Sequence, residues 1–88
     1  MKYGVEATKR FKKELLKLDF YTQKMIKAWI GKNLTNCENP RIHGKPLKGN
    51  LSGLWRYRIG DYRLLCSIQD DKLIILALSV GHRRDIYE

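Results

Sequence analysis

Several features that define whole classes of protein are scarce in this sequence of 88 residues. The two cysteines, Cys37 and Cys66, have no CxxC spacing and no paired histidines, which excludes a disulfide scaffold or a zinc site. We interpret both as buried free thiols of a protein in a reducing, cytoplasmic compartment. No apolar run approaches the ~20 residues that span a bilayer, so no membrane segment is expected. The first residues soon become polar and basic, so we also expect no secretory signal peptide.

Acidic residues are also scarce, with 9 Asp and Glu against 18 Lys and Arg and a net charge of +9. Such an excess destabilises a compact chain through self-repulsion, and it indicates a polyanionic or acidic partner. The basic residues of the first 40 positions are almost all lysines, whereas six of the seven arginines follow. Arginine favours bidentate binding of phosphate or carboxylate, so the second part of the chain is the candidate binding region.

Several catalytic motifs are absent from the sequence. It contains no glycine-rich nucleotide motif, no paired carboxylates, no Ser-His-Asp order and no cluster of metal ligands. An enzyme of this composition would use Arg, His and Tyr, with Lys as a further candidate, and neither cofactor nor metal. That set suits RNA cleavage by the substrate's own 2′-hydroxyl, in which cations stabilise the pentavalent phosphate and other groups transfer protons. DNA lacks the 2′-hydroxyl and could not be cut by this route.

The first part of the chain predicts a strand followed by two helices. Residues 2–6 are typical of a short strand. Thr8 is a plausible N-cap of a first helix, and Asp19 ends that helix and caps the next, which runs to about Asn36. Two helices with a short join predict an αα-hairpin. The residues expected to form its core stripes are Phe11, Leu15 and Leu18, then Phe20, Ile26, Trp29, Ile30 and Leu34.

The second part predicts a loop over 38–53 and then three strands. The strands are expected at 54–59, 62–69 and 72–80, with Gly60-Asp61 as a two-residue hairpin turn. The third strand is apolar on both faces, which is typical of a covered central strand. We therefore predict one α+β domain over residues 1–88, in the order β-α-α-β-β-β. The αα-hairpin is expected to pack on one face of a small, mostly antiparallel, twisted sheet.

Three arginines are predicted to share the open face of this sheet. Side chains alternate along a strand, so Arg56 and Arg58 should point away from the apolar set that faces the helices. Across the two-residue turn, Arg58 should lie opposite Arg63. Like charges directly opposite each other on a sheet are destabilising, and a phosphate-binding site would explain that cost.

The tail GHRRDIYE supplies further candidates. We expect Gly81 to release the chain into a turn, which would leave His82, Arg83 and Tyr87 close to the end of the sheet. Histidine can transfer protons near neutral pH, and tyrosine offers a stackable ring and a phenol. Arg84 adds another cation that could bind substrate.

Two stretches of the sequence, together with the order of elements, resemble a known family: KPLKGNLSGLWRYRIGDYRLL and SVGHRRDIY. The chain is similar in these features to the RelE/ParE superfamily of type II toxin–antitoxin toxins, especially the RelE-like mRNA interferases. The resemblance covers nearly the whole chain. It implies a toxin without cofactor that cuts mRNA in the ribosomal A site. It also implies an acidic, RelB-like antitoxin that joins it in a hetero-oligomer.

The resemblance assigns roles to individual positions. Arg63 matches the family's central phosphate-binding arginine, Arg83 the arginine that stabilises the transition state, and Tyr87 the tyrosine that orients the substrate. Arg56 and Arg58 stand where the best-known RelE-type toxin has lysines. Because arginine is a poor general base, proton transfer is expected to shift to His82. Further expected RNA contacts are Lys45 and Lys48 in the loop.

Two alternatives remain open from the sequence. A ParE-like toxin on the same fold would inhibit DNA gyrase through protein contacts, and the complete Arg/His/Tyr set argues against it. A non-catalytic, basic nucleic-acid-binding domain would bind without sequence preference and release with salt.

Overall fold

The computed structural model describes residues 1–82 of the chain. The helices are α1 (Lys9–Leu16) and α2 (Phe20–Asn33), and the strands are β1 (Gly4–Ala7), β2 (Gly44–Pro46), β3 (Trp55–Ile59), β4 (Tyr62–Gln69) and β5 (Ile74–His82). They form one sheet in the order β1-β5-β4-β3-β2, in which β1 is parallel to β5 and the other neighbours are antiparallel. The helices cover one face. The predicted α+β class is confirmed.

Both predicted helix caps are present. The Thr8 hydroxyl accepts a hydrogen bond from the Phe11 N–H at 3.1 Å, and the Asp19 carboxylate accepts one from the Thr22 N–H at 3.2 Å. The predicted core position of Phe20 is wrong, because its side chain is 74% exposed. Thr22 is buried at that end of α2 instead, with its hydroxyl donating to Asp19. At the first turn of α2, the side chain that faces the core is therefore a polar one, and its hydroxyl is bonded to the carboxylate that caps the helix.

The core lies between the helices and one face of the sheet. Its fully buried side chains come from α2, from the residue after it, and from three strands, which explains why the sheet and the hairpin fold as one unit. They include Ile26, Leu34, Tyr57, Leu64, Cys66 and Ile75.

Part of the predicted loop over 38–53 is ordered into regular structure. It contains β2 and a single turn of 3-10 helix at Gly49–Leu51. In β2, Gly44 lies opposite Tyr57 and Lys45 opposite Arg56. The sequence did not indicate this strand, because three residues are too few to show alternation and their pairing partners lie in another segment.

The prediction that Gly81 turns the chain out of the sheet is wrong. β5 continues through His82, with Gly81 opposite Arg63 and His82 opposite Tyr62. A β-bulge interrupts the ladder earlier, since Leu65 pairs with Ser79 while Cys66 pairs with Ala77. The extra residue in β5 shifts the alternation of every residue after it.

Glu14 of α1 holds this bulge. One oxygen of its carboxylate accepts a hydrogen bond from the Ser79 hydroxyl at 2.7 Å and another from the Val80 N–H at 3.1 Å. Ser79 and Val80 are 3% and 2% exposed, so both donors are shielded from water. A helix side chain therefore bonds the backbone of a central strand at its irregular point.

Removing this carboxylate should destabilise the fold. Because Glu14→Ala leaves two buried donors unsatisfied, we expect it to lower the free energy of unfolding by about 1–3 kcal/mol in urea titrations. Glu14→Gln keeps an acceptor oxygen and should lose less. Glu38→Ala removes the same charge from an exposed position and is the control. Equal losses in the Glu14 and Glu38 variants would show that charge, rather than the bulge contact, matters.

Both cysteines are free, as predicted, but only Cys66 is fully buried, and Cys37 is half-buried. Burial raises the pKa of the Cys66 thiol to about 12 and raises that of Cys37 above its usual value. Both thiols are therefore protonated, unreactive parts of the packing at neutral pH. Within residues 1–82, no helix is long and apolar enough to cross a membrane.

Candidate phosphate-binding site

The open face of the sheet gathers four cationic side chains from three neighbouring strands. Arg58 of β3 lies opposite Arg63 of β4, and Arg56 of β3 lies opposite Lys45 of β2. The prediction that the three arginines share a face is confirmed by this register, and Lys45 joins them. We call Lys45, Arg56, Arg58 and Arg63 the arginine face.

The arginine face differs in exposure from one position to the next. Arg58 and Lys45 are exposed, whereas Arg56 and Arg63 are half-buried, and the Nε atoms of both are shielded from water. On the other side of β3, Tyr57 and Ile59 lie in the core and are only 0% and 2% exposed. The strand thus anchors its apolar side in the core and presents guanidinium groups to solvent, where a phosphate could bind two of them.

Two shallow pockets flank Arg56. One, of about 220 Å³, is lined by Ile42, His43, Gly44, Lys45, Arg56 and Arg58. The other, of about 200 Å³, is lined by Pro46, Leu47, Lys48 and Arg56. Lys48, predicted as a substrate contact, therefore lies beside the arginine face without belonging to the sheet.

His82 lies on the other side of the sheet. Its cross-strand partner is Tyr62, whose ring it contacts edge-on with 5.5 Å between centroids. It lines a pocket of about 450 Å³ with Glu14 and Arg10 of α1. The bulge explains this placement, because regular alternation from the buried Ala77 would have put His82 on the open face. The structure thus does not bring the His82 ring together with Arg63, and its role in proton transfer stays a prediction.

Three predicted site residues, Arg83, Arg84 and Tyr87, lie outside the described residues. Their roles stay predictions. His82 is the last described position, and it directly precedes Arg83 in the chain.

A separate ion pair holds the loop that precedes β2. The two terminal guanidinium nitrogens of Arg41 donate to Asp70, at 3.0 and 2.9 Å, and the Tyr3 hydroxyl donates to the same carboxylate at 2.5 Å. The Arg41 guanidinium also lies 5.8 Å from the centre of the Trp55 ring. Arg41 is therefore a structural arginine that ties the loop to the end of β4.

This cluster should make stability depend on acid pH. Hydrogen bonds from Arg41 and then Tyr3 lower the pKa of Asp70 to about 2 from an ordinary value of 3.8. A lowered pKa in the folded state contributes stability that is complete above the unfolded value and is lost as the pH falls through about 2. In urea titrations, Asp70→Asn should therefore be less stable than the wild type at pH about 5 and approach it at pH about 2. Asp71→Asn is the control because it lies outside these bonds, and its free energy of unfolding should differ from that of the wild type by the same amount at both pH values.

Sequence reasoning missed two residues that the structure places in important contacts. His43 lines the pocket beside Arg56 and Arg58, and Glu14 holds the bulge that orients His82. No local pattern indicates either, because His43 precedes an unrecognised strand and Glu14 acts on residues more than 60 positions away.

Comparison with known proteins assigns the chain to a class. Residues 5–87 match the family model of the ParE toxin of the type II toxin–antitoxin system parDE. The chain is 34% identical to toxin RelG of Mycobacterium tuberculosis over 87 residues, which are 99% of this chain and 98% of that protein. The fold and the sequence therefore define a toxin of a type II toxin–antitoxin system.

Solved structures agree with this class. The RelBE2 toxin–antitoxin complex of Mycobacterium tuberculosis contains a chain that matches with a TM-score of 0.86 and 32% identity, covering 97% of this chain and 95% of that one. The RelE–RelB complex of Pyrococcus horikoshii contains one that matches with a TM-score of 0.70 and 25% identity, covering 98% and 100%. The chain belongs to the RelE/ParE superfamily, which confirms the resemblance noted in the sequence.

Proposed function

We propose that this toxin is a ribosome-dependent, metal-independent endoribonuclease that cuts mRNA in the A site. The observation that carries the proposal is the arginine face, in which Arg58 and Arg63 lie directly opposite each other. Like charges directly opposite each other on a sheet are destabilising, and a phosphate bound between the two strands would offset part of that cost. The matched relatives are RelE-type and ParE-type toxins, and the phosphate backbone of mRNA is an anion that fits the face.

In the proposed reaction, the 2′-oxygen attacks the adjacent phosphorus and the bond to the 5′-oxygen breaks. The products are a 2′,3′-cyclic phosphate on one fragment and a 5′-hydroxyl on the other. Arg56, Arg58 and Arg63 stabilise the charge that develops on the pentavalent phosphate. One group takes the proton of the 2′-hydroxyl and another protonates the leaving 5′-oxygen; we assign one of these two transfers to His82, while Arg83 and Tyr87 complete the site. Because His82 lies on the helix side of β5, the RNA would have to pass around the end of that strand to reach it.

Primer extension in a bacterial cell-free translation reaction tests this proposal. We expect new 5′ ends at A-site codons only when ribosomes are present. A 2′-deoxy nucleotide at the cleavage position should abolish the product, because the nucleophile is missing. Intact mRNA and unaffected translation would contradict the proposal. Cleavage of naked mRNA at equal rates would contradict its ribosome dependence.

The second candidate is a ParE-like inhibitor of DNA gyrase, favoured by the ParE family model that matches residues 5–87. It acts through protein contacts and needs no RNase site. A supercoiling assay with purified gyrase separates the two, since an mRNA endonuclease should leave supercoiling unchanged. A basic domain without activity would bind RNA in a salt-dependent manner and form no product.

We further propose that an acidic, RelB-like antitoxin covers the helical side of the toxin in a hetero-oligomer. An apolar groove of about 490 Å³ lies between α1, α2 and β1, with Lys12 and Lys27 at its lining. Such a groove fits an amphipathic acidic segment. The double variant Lys12→Glu with Lys27→Glu should weaken the complex with the product of the neighbouring gene. Lys72→Glu, at the far turn between β4 and β5, should not.

A further inference from the structure

The pocket beside β2 and β3 combines three cations with a wall formed by Ile42 and the imidazole ring of His43. It has a volume of about 220 Å³, and its lining contains Lys45, Arg56 and Arg58 but no acidic residue. The remaining lining residues are Ile42, His43 and Gly44. The cations belong to the arginine face, whereas Ile42 and His43 have no role in the cleavage reaction proposed above.

Gly44 makes this pocket possible. A Cβ atom at position 44 would collide with the carbonyl oxygen of Arg56 and would lie 2.8 Å from Tyr57 Cδ1 and 2.9 Å from Trp55 Cδ1. Only glycine lets β2 approach β3 this closely. The close approach sets Lys45 opposite Arg56 and brings the preceding residues, Ile42 and His43, beside the cations.

The wall formed by Ile42 and His43 is exposed, and its imidazole ring offers a surface for stacking. Ile42 is 68% exposed, and His43 is also exposed. The His43 ring lies 6.3 Å from the ring of Trp29 at an interplanar angle of 80°. A perpendicular contact of this kind leaves at least one face of the imidazole open to a ligand.

The segment that carries the wall is held at several points. The Tyr57 hydroxyl donates to the Pro40 carbonyl at 2.6 Å, and Arg41 is paired with Asp70. Trp29 packs against Tyr57 with 5.6 Å between ring centroids, so the ring that supports His43 is itself fixed. Little ordering would be required on binding, and this favours affinity.

We propose that this pocket is a subsite for one nucleotide of single-stranded RNA. The base stacks on His43 and packs against Ile42, while its phosphate binds Lys45, Arg56 and Arg58. A stackable ring beside a cationic groove is the combination that single-stranded nucleic acid recognises, whereas an acidic peptide would use the cations alone. The inference rests on the proposed action on RNA and adds a residue for the base.

NMR titration with a short single-stranded RNA tests the subsite without ribosomes. The probe carries 2′-deoxy nucleotides throughout its central positions, so that it cannot be cut. We expect the amide signals of His43, Gly44 and Lys45 to shift. His43→Ala should weaken binding on the order of tenfold. His43→Phe should retain binding because it keeps a flat ring, and Tyr21→Ala, which removes an exposed ring from α2, should bind like the wild type.

A second probe with the same backbone but abasic central positions separates base from phosphate. With this probe, His43→Ala and the wild type should bind equally. Equal binding of the two proteins to the complete RNA would overturn the subsite, and so would an acidic peptide that shifts the same amides as strongly. Thermal unfolding of each variant checks that the His43–Trp29 contact is not needed for folding. This experiment measures binding without cleavage, so the subsite and the proposed function can fail separately. If the pocket binds RNA through His43 but the protein cuts no mRNA, only the proposed function is refuted.

Discussion

Arg63→Ala is expected to reduce ribosome-dependent mRNA cleavage by about 10²- to 10³-fold, the loss typical of removing one preorganised donor from a transition-state charge. Arg63 is half-buried on β4, directly opposite Arg58, and therefore sits in the middle of the arginine face. Its guanidinium can give two parallel hydrogen bonds to a phosphate, which a lysine cannot. Arg63→Lys should accordingly recover only part of the activity.

The measurement is the rate of appearance of cut mRNA at saturating ribosome concentration. Circular dichroism and a urea titration on the same samples establish that the variant is folded. Lys9→Ala is the control, because it removes an exposed cation at the start of α1, outside the arginine face and outside the pocket that His82 lines. Wild-type rates in Arg63→Ala would show that the arginine face is not where cleavage takes place.

Short-range patterns predicted the parts of this fold that depend on neighbouring residues. The caps at Thr8 and Asp19 form because each side chain reaches a backbone N–H three residues ahead. The turn at Gly60-Asp61 fixes the register of β3 against β4, and Gly60 has the positive φ of 60° that such a turn requires. The three arginines of the arginine face follow from that register, so the sequence was sufficient to predict them, whereas Lys45 joins them only through β2.

Features that depend on distant residues were missed or wrong. β2 forms because Gly44 can approach β3 closely, and no residue pattern within the segment 38–53 indicates that β3 is its pairing partner. The side on which His82 lies is decided by a bulge that Glu14 stabilises from another element. Phe20 fits a helical stripe in sequence, yet it remains exposed because Thr22 occupies the buried position at that end of α2. Periodicity gives the face of a helix but not how far the core extends along it.

Arg58→Glu is expected to change stability and RNA binding in opposite directions. The substitution replaces a like-charge pair with an opposite-charge pair across β3 and β4, since Arg58 lies directly opposite Arg63. We expect the free energy of unfolding to rise by about 0.2–1 kcal/mol. Binding to single-stranded RNA should fall strongly, because a phosphate contact is lost and a carboxylate is placed beside the remaining cations. The slope of log affinity against log salt should decrease by about 1.

Lys72→Glu makes the same change of charge at an exposed position beyond the end of β4, and it serves as the control. It should change the free energy of unfolding and the affinity for RNA only by the small amount that follows from the altered net charge. If Arg58→Glu lowered stability together with binding, Arg58 would be a structural residue and the like-charge pair would need another explanation. If stability rises while binding is lost, the repulsion between Arg58 and Arg63 destabilises the fold and the same two groups bind the anion. The cost to the fold and the affinity for phosphate would then have the same physical origin, namely two guanidinium groups held on adjacent strands.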